Sequence, residues 1–218
     1  MPKVTDRLGR PFSGQMPGLV EALVTDNEDP NHLGRVKVKF PTLPDMPESF
    51  WARVVTPMAG QDRGWVAIPE IDDEVLVAFV HGDINHAVVL GSLHNGKDTP
   101  PYANEDGDNN LRVFKSRSGH KLTFDDTDGA EKIELVTPDE GVRVVLDASA
   151  NTLSVQTQKD IVLEAGSKIA LKCADFELKA DGAVSIDAGT NLKLKAGANL
   201  DVEAGTTLTA KGSIVNIN

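Results

Sequence analysis

Ile161-Val-Leu163-Glu-Ala165-Gly166, Ile169-Ala-Leu171-Lys-Cys173, Phe176-Glu-Leu178-Lys-Ala180 and Val184-Ser-Ile186-Asp-Ala188-Gly189 begin a repeat that decides the fold. It runs on through Leu192-Lys-Leu194-Lys-Ala196-Gly197, Leu200-Asp-Val202-Glu-Ala204-Gly205, Leu208-Thr-Ala210 and Val215-Asn-Ile217. The units start at residues 161, 169, 176, 184, 192, 200, 208 and 215, in steps of seven or eight. Each carries two large apolar residues at i and i+2 and a small one at i+4, often followed by Gly. So short a fixed period signals stacked strands rather than independent elements.

The physics of one unit dictates its partners. Period-two alternation makes a strand with one buried face, and Gly lets the backbone bend where a Cβ would be penalised. One unit is one strand and one corner. Two bulky inward residues cannot enclose a core, but three chains each supplying one side of a triangle can. The repeat therefore predicts an intertwined homotrimeric β-helix, a β-prism whose long sides expose no strand edges. With strands stacked about 5 Å apart, eight units give a rod of roughly 40 Å. The expected trimer core is Ile161, Leu163, Ile169, Leu171, Phe176, Leu178, Val184, Ile186, Leu192, Leu194, Leu200, Val202 and Leu208. Cys173 takes the small position that Ala165, Ala180, Ala188, Ala196 and Ala204 hold in other units, so it reads as a small apolar residue and not a reactive thiol.

Charge divides the 218 residues into parts. Residues 1–100 and 101–150 each carry a net −5, and 151–218 only −1. Within the repeat, Lys168, Lys172, Lys179, Lys193, Lys195 and Lys211 mix with Glu164, Glu177, Asp187, Asp201 and Glu203 on the outward positions, a solvated face whose ion pairs are worth little. An acidic chain without basic blocks is a poor binder of nucleic acid. No stretch approaches the 18 or so apolar residues of a membrane span, and the start Met1-Pro-Lys-Val is unlike a signal peptide. Assembly in the cytoplasm, followed by incorporation into a particle, is the expectation. A single Cys excludes an internal disulfide and fits a reducing compartment.

The first hundred residues alternate short β runs with turns. The runs are Gly18–Thr25, Gly34–Phe40, Trp51–Val55, Gly64–Ile68, Glu74–Phe79 and Ala87–Gly91; Asp26–Leu33, Pro41–Pro47, Met58–Arg63 and Pro69–Asp73 turn between them. Five or six strands in about eighty residues without a helical period predict a small closed barrel of OB type. The fold class is thus all-β, an N-terminal OB-fold barrel followed by the trimeric β-helix. The expected divisions are an N-terminal arm over 1–16, the OB domain over 17–98, a linker over 99–120 and the spike over 121–218.

The barrel sequence carries a resemblance. Val24-Thr-Asp-Asn-Glu-Asp-Pro30, Leu33-Gly-Arg-Val-Lys-Val-Lys-Phe-Pro41, Trp51-Ala-Arg-Val-Val-Thr-Pro-Met-Ala-Gly60 and Gly64-Trp-Val-Ala-Ile-Pro-Glu-Ile-Asp-Asp-Glu-Val-Leu-Val-Ala-Phe79 resemble the OB domain of bacterial spike proteins. So do His81-Gly-Asp83 and Val89-Leu-Gly-Ser-Leu-His-Asn-Gly-Lys97, while Ser116–Gly129 is similar to the lead-in to their β-helix. The family is that of the VgrG spikes of type VI secretion and the V-type baseplate spikes of contractile phage tails, and the likeness covers roughly residues 17–218. It implies a structural, non-enzymatic homotrimer that seats on the threefold hub protein of a baseplate and is driven through a target cell envelope, with room for an effector as cargo.

Departures from the family refine that expectation. Type VI members usually carry a large hub domain ahead of the barrel, and only about sixteen residues stand there, which favours a phage, tailocin or phage-like particle. Residues 95–120 leave no room for the lysozyme domain of some phage spikes. No His follows His120, so the iron-holding His-x-His apex of several phage spikes is missing and no cofactor is expected. Ile214, Val215 and Ile217 are the expected dock for a PAAR-type tip protein; the alternative is that they only finish the last rung.

Other chemistry is weakly supported. Asp125, Asp126 and Asp128 before Gly129 lack calcium-loop spacing and read as an Asp-Gly hairpin turn. Glu70, Asp72, Asp73 and Glu74 lie in a Pro-led turn without a neighbouring His. His81, His86 and His94 lack metal-ligand spacing. A calcium-stabilised β-roll would need Gly-Gly-x-Gly-x-Asp repeats, which are absent. A polysaccharide-acting β-helix enzyme would need wide coils that an eight-residue unit cannot line.

Overall fold

The computed structural model describes residues 16, 18–43 and 48–216. Ile217, most of the expected N-terminal arm and residues 44–47 lie outside the described residues. The chain divides into two units, residues 1–161 and 162–218. Every regular element of the described residues is a β-strand, apart from one 3₁₀ turn at Val80–Gly82.

The first unit begins with the barrel. Strands β1 (Leu19–Asp26), β2 (Lys37–Lys39), β3 (Arg53–Val54), β6 (Glu74–Phe79) and β7 (Ala87–Ser92) form one sheet in the order β2-β1-β6-β7-β3. An isolated bridge between Val36 and Ala52, the residues just before β2 and β3, joins the two outer strands and closes the ring. The β3–β7 pair is parallel and the other three pairs are antiparallel. That is the Greek-key closure of an OB barrel.

Alternation builds its interior. β6 reads Glu-Val-Leu-Val-Ala-Phe with every second residue buried, the pattern of a strand with one face on a core. Val24, Val36, Val38, Val75, Val77 and Val89 are fully buried, each contributing roughly 1.5–3 kcal/mol relative to exposure. Phe40 and Phe79 fill the rest as a tilted pair with ring centroids 5.5 Å apart. β-Branched valine suits such a small, tightly curved interior, because it packs well on a pleated surface.

One expected strand is absent. Gly64–Ile68 contributes only its first residue to a strand: β4 (Ala59–Gly60) pairs with β5 (Arg63–Gly64) in a two-rung hairpin. Trp65 N–H still donates to Met58 O at 3.0 Å, but Val66 beyond it is 83% exposed. The apolar run lies on the surface, so its hydrophobicity does not report barrel burial.

Beyond the barrel, residues 111–157 form a second sheet. β8 (Leu111–Lys115), β9 (Lys121–Asp125), β10 (Lys132–Val136), β11 (Val142–Asp147) and β12 (Thr152–Thr157) follow one another as an antiparallel meander. Much of the expected linker's end and the first part of the expected spike thus pair within one chain. The eight-residue period starts only at Ile161, and what precedes it is punctuated by tight turns. At the first of these, Gly119 has φ +93, and a Cβ there would stand 3.2 Å from Pro138 Cβ, so both conformation and space require glycine.

Residues 158–216 contain no paired strand. Bends recur at 158–159, 166–167, 174, 181–182, 189–190, 197–198, 205–206 and 213. Each repeat unit begins two or three residues after one of them, so the corner of every unit falls where the small residue and glycine were expected to turn the chain.

Candidate functional site: an uncovered apolar ladder

In the repeat, side chains that the sequence reads as core are bare. The thirteen residues expected to line the trimer run from 53% exposed at Ile169 to 74% at Leu163. Ile214 and Val215 at the expected docking end are also exposed, at 78% and 52%. Cys173 is exposed with its neighbours. Among the described residues, no backbone hydrogen bond joins any two residues of 159–216. A single extended chain offers each unit no strand above or beside it. The ladder therefore presents both apolar side chains and free N–H and C=O groups, which is what a strand awaiting lateral partners presents.

The meander has one apolar face as well, and register identifies it. Phe114 stands opposite Leu122, Leu122 opposite Leu135, Leu135 opposite Val144, and Val144 opposite Val155. The next row outward carries Phe124, Ile133, Leu146 and Leu153. Arg112, which pairs with Phe124, is the charged residue of that face, at its edge. The opposite face mixes the ion pairs Lys132–Asp125 at 3.7 Å and Arg143–Glu134 with Leu111, Val113, Val145 and the buried Val136. Phe114, Leu135 and Leu153 are all more than half exposed. A sheet with one apolar face and one mixed, ion-paired face is built to be covered on its apolar side.

Carboxylates staple the meander's turns. Asp125 accepts from the Thr127 hydroxyl and N–H. Asp139 accepts from the Thr137 hydroxyl and Gly141 N–H, and Asp147 from Ala150 N–H and the Ser149 hydroxyl. Each is held below the usual carboxylate range, chiefly by Thr127, Thr137 and Ala150 respectively. Asp126 lies 3.8 Å from Arg112, and Gly129 occupies the β9–β10 turn at φ +72.

The acidic Pro-led turn is similarly committed to local structure. Glu70 pairs with Arg117 at 3.1 Å and donates its N–H to Asp73 Oδ2, and Glu74 accepts from Asn95. His86 Nδ1 lies 2.9 Å from Asp83 Oδ2, and His81 sits in the 3₁₀ turn. Among the described residues, no group of three or more His, Cys, Asp or Glu is placed to hold a metal ion.

Sequence reasoning missed one polar centre. The Asp29 carboxylate, in the loop expected as a turn, is buried at 6% exposure. Arg35 grips it through both Nε and Nη2 at 2.7 Å, and the N–H groups of Asn31 and Leu33 donate to it at 3.0 Å. The guanidinium foremost, with these N–H groups, holds the Asp29 carboxyl well below the ordinary range against the cost of burial. The bidentate grip closes the β1–β2 loop on itself, holding Asp29 against Arg35 just ahead of β2. The spacing Asp-x-x-x-x-x-Arg is the only signal available in sequence, and it is too common to single out.

No helix among the described residues is long and apolar enough to cross a membrane. Residues 20–94 match the family described as the type VI secretion system/phage-baseplate injector OB domain. The type VI secretion system spike protein VgrG3 of Vibrio cholerae is 32% identical over 113 residues, covering 48% of this chain and 11% of that protein. VgrG2a of Pseudomonas aeruginosa, also a type VI spike protein, is 35% identical over 102 residues, 43% of this chain and 12% of that one. The actin cross-linking toxin VgrG1 of Vibrio cholerae is 32% identical over 110 residues, 47% and 10%. The chain thus spans about a tenth of the length of these relatives. Strand order, the parallel β3–β7 pair and the matched residues agree: residues 20–94 are similar to the injector OB domain that type VI and phage-baseplate proteins share.

Proposed function

We propose that this chain is the central spike of a contractile injection system, a homotrimer that works mechanically. The observation that carries the reading is the ladder, thirteen large apolar residues at strand spacing, all bare in the single chain. Three copies wound together satisfy the backbone groups by lateral pairing and bury the ladder inside a closed prism. Such a rod resists bending because each rung is bonded to its neighbours and the interior is packed hydrocarbon. No catalytic group enters this mechanism; force comes from the particle.

The barrels form the collar that seats on a threefold hub, and the spike runs from the collar toward the target envelope. Ile214, Val215 and Ile217 at the far end of the repeat receive a separate tip protein. The family covers both type VI and phage-baseplate spikes, and the mechanics are the same in either. Light scattering of the full chain tests the reading. A mass near ~70 kDa, three times 23.3 kDa, is the expected result. A mass of 23.3 kDa overturns it.

A further inference from the structure

One dipeptide lies apart from the apolar surfaces and carries chemistry of its own. Asn95-Gly96 is the one Asn-Gly pair in the chain, and it follows β7 on the way out of the barrel. Asn95 N–H donates to Asp98 O at 3.0 Å, which closes the loop over residues 95–98. Within that loop the Asn95 side chain is held at both ends. Its Oδ1 accepts from the N–H groups of Lys97 at 2.8 Å and Asp98 at 2.7 Å. Its Nδ2 donates to Oε2 of Glu74, the first residue of β6, at 2.6 Å.

This arrangement favours attack of the Gly96 nitrogen on the Asn95 side-chain carbon. Gly96 has no Cβ, and beyond its chain neighbours no atom stands within 4 Å of where one would be. Nothing crowds the ring that must close. Among the described residues, the Gly96 N–H is not spent on a backbone hydrogen bond. Two N–H groups already point at Oδ1, where negative charge develops as the carbon becomes tetrahedral, so they act as an oxyanion hole. The Glu74 carboxylate stands at the nitrogen that leaves, and its charge favours that nitrogen as it gains a proton.

We infer that Asn95 is a site of intramolecular deamidation promoted by the fold. The Gly96 nitrogen gives its proton to water or hydroxide and bonds to Asn95 Cγ. The Cγ–Nδ2 bond then breaks and the nitrogen leaves as ammonia with a proton from solvent, giving a succinimide ring. Water opens that ring at either carbonyl and leaves aspartate or isoaspartate. The balance is water in and ammonia out, with no oxidant and no cofactor. The product sets a carboxylate where an amide faced Glu74, so the hydrogen bond becomes a like-charge contact. In the isoaspartate form the backbone is also one carbon longer, which breaks the 95–98 loop. The barrel's exit thereby loses its tie to β6. The inference stands independently of the spike reading.

Peptide mass spectrometry of the full chain tests it. The folded protein is incubated at mildly alkaline pH beside the same chain in denaturant, and the peptide spanning Asn95-Gly96 is followed for the gain of one mass unit. Conversion is expected to be severalfold faster in the folded protein, and hydroxylamine should cleave the chain between Asn95 and Gly96 while the succinimide is present. Glu74→Gln, which keeps the shape and removes the charge, is expected to slow the folded rate severalfold and leave the denatured rate unchanged. Gly96→Ala is expected to slow both at least tenfold. Equal or faster conversion in denaturant overturns promotion by the fold, and so does a folded Glu74→Gln protein that converts at the unaltered rate. The comparison of folded with denatured chain needs no variant, so it decides the matter even where Glu74→Gln disturbs the barrel.

Discussion

The barrel and the repeat are both made of alternating β sequence, yet one buries six of its valines completely and the other buries nothing. In the barrel, β6 pairs with β1 on one side and β7 on the other, and the Val36–Ala52 bridge closes the ring. Every inward residue finds its neighbours in the same chain. In the repeat, six residues separate one bend from the next, and no unit pairs with another. Among the described residues, none covers Leu192 or Leu194. The difference teaches that alternation specifies a buried face without specifying what buries it. Turn length decides that: loops long enough to bring strands side by side give a self-sufficient domain, whereas bends of one or two residues leave each unit without a neighbour in its own chain.

The sharpest way to break this contrast is to charge the ladder. Leu194→Asp sets three carboxylates in one interior rung of the proposed prism, where unpaired charge is intolerable. The mass by light scattering is expected to fall from three protomers to one. Lys193→Ala, on the alternate face, is expected to leave assembly intact. A trimeric Leu194→Asp protein would mean that the inward register is wrong.

The complementary change belongs to the barrel. Val77→Ala removes two buried carbons from a fully enclosed site, and about 2 kcal/mol of barrel stability should be lost from transfer and cavity terms together. Denaturant unfolding followed by Trp51 fluorescence measures it. The assembled mass should not change, because the ladder is untouched.

A smaller effect concerns Asp29. Its folded carboxyl titrates below the unfolded value, so its contribution is complete above about pH 3.9, the unfolded value, and is lost as pH falls below that toward the folded one. The melting temperature of the barrel transition should therefore fall with acidification below pH 4. Asp29→Asn should lower stability near neutrality and flatten that acid slope. An unaltered slope would remove the carboxylate from the account. The smallest effect expected is at Arg117, whose side chain is 83% exposed. Arg117→Ala should cost no more than about 1 kcal/mol, as exposed pairs do, and should be masked by salt.

Much of this architecture was legible in the residues. Glu74–Phe79 and Ala87–Gly91 are short, valine-rich apolar runs between turns and form β6 and most of β7, because such runs mark strands with a buried side. Gly64–Ile68 misled, since an exposed apolar run has the same composition as a buried strand. The five-stranded meander was legible only as turns. Its Asp-centred hairpins are local, but which face is apolar follows from cross-strand register over the whole of residues 111–157.

Residue patterns alone set the elements whose information is local: the eight-residue period, the bends that follow it, and the valine-rich runs of the barrel strands. Side-chain spacing within a few residues controls these through backbone sterics and strand pleat. Only the tertiary structure decided the parallel β3–β7 closure, the grip of Arg35 on a buried Asp29 and the bare face of the meander. The Asp29–Arg35 pair is local but depends on burial of its loop; the others join residues distant in sequence, and their pairing is selected by the packing of the whole unit.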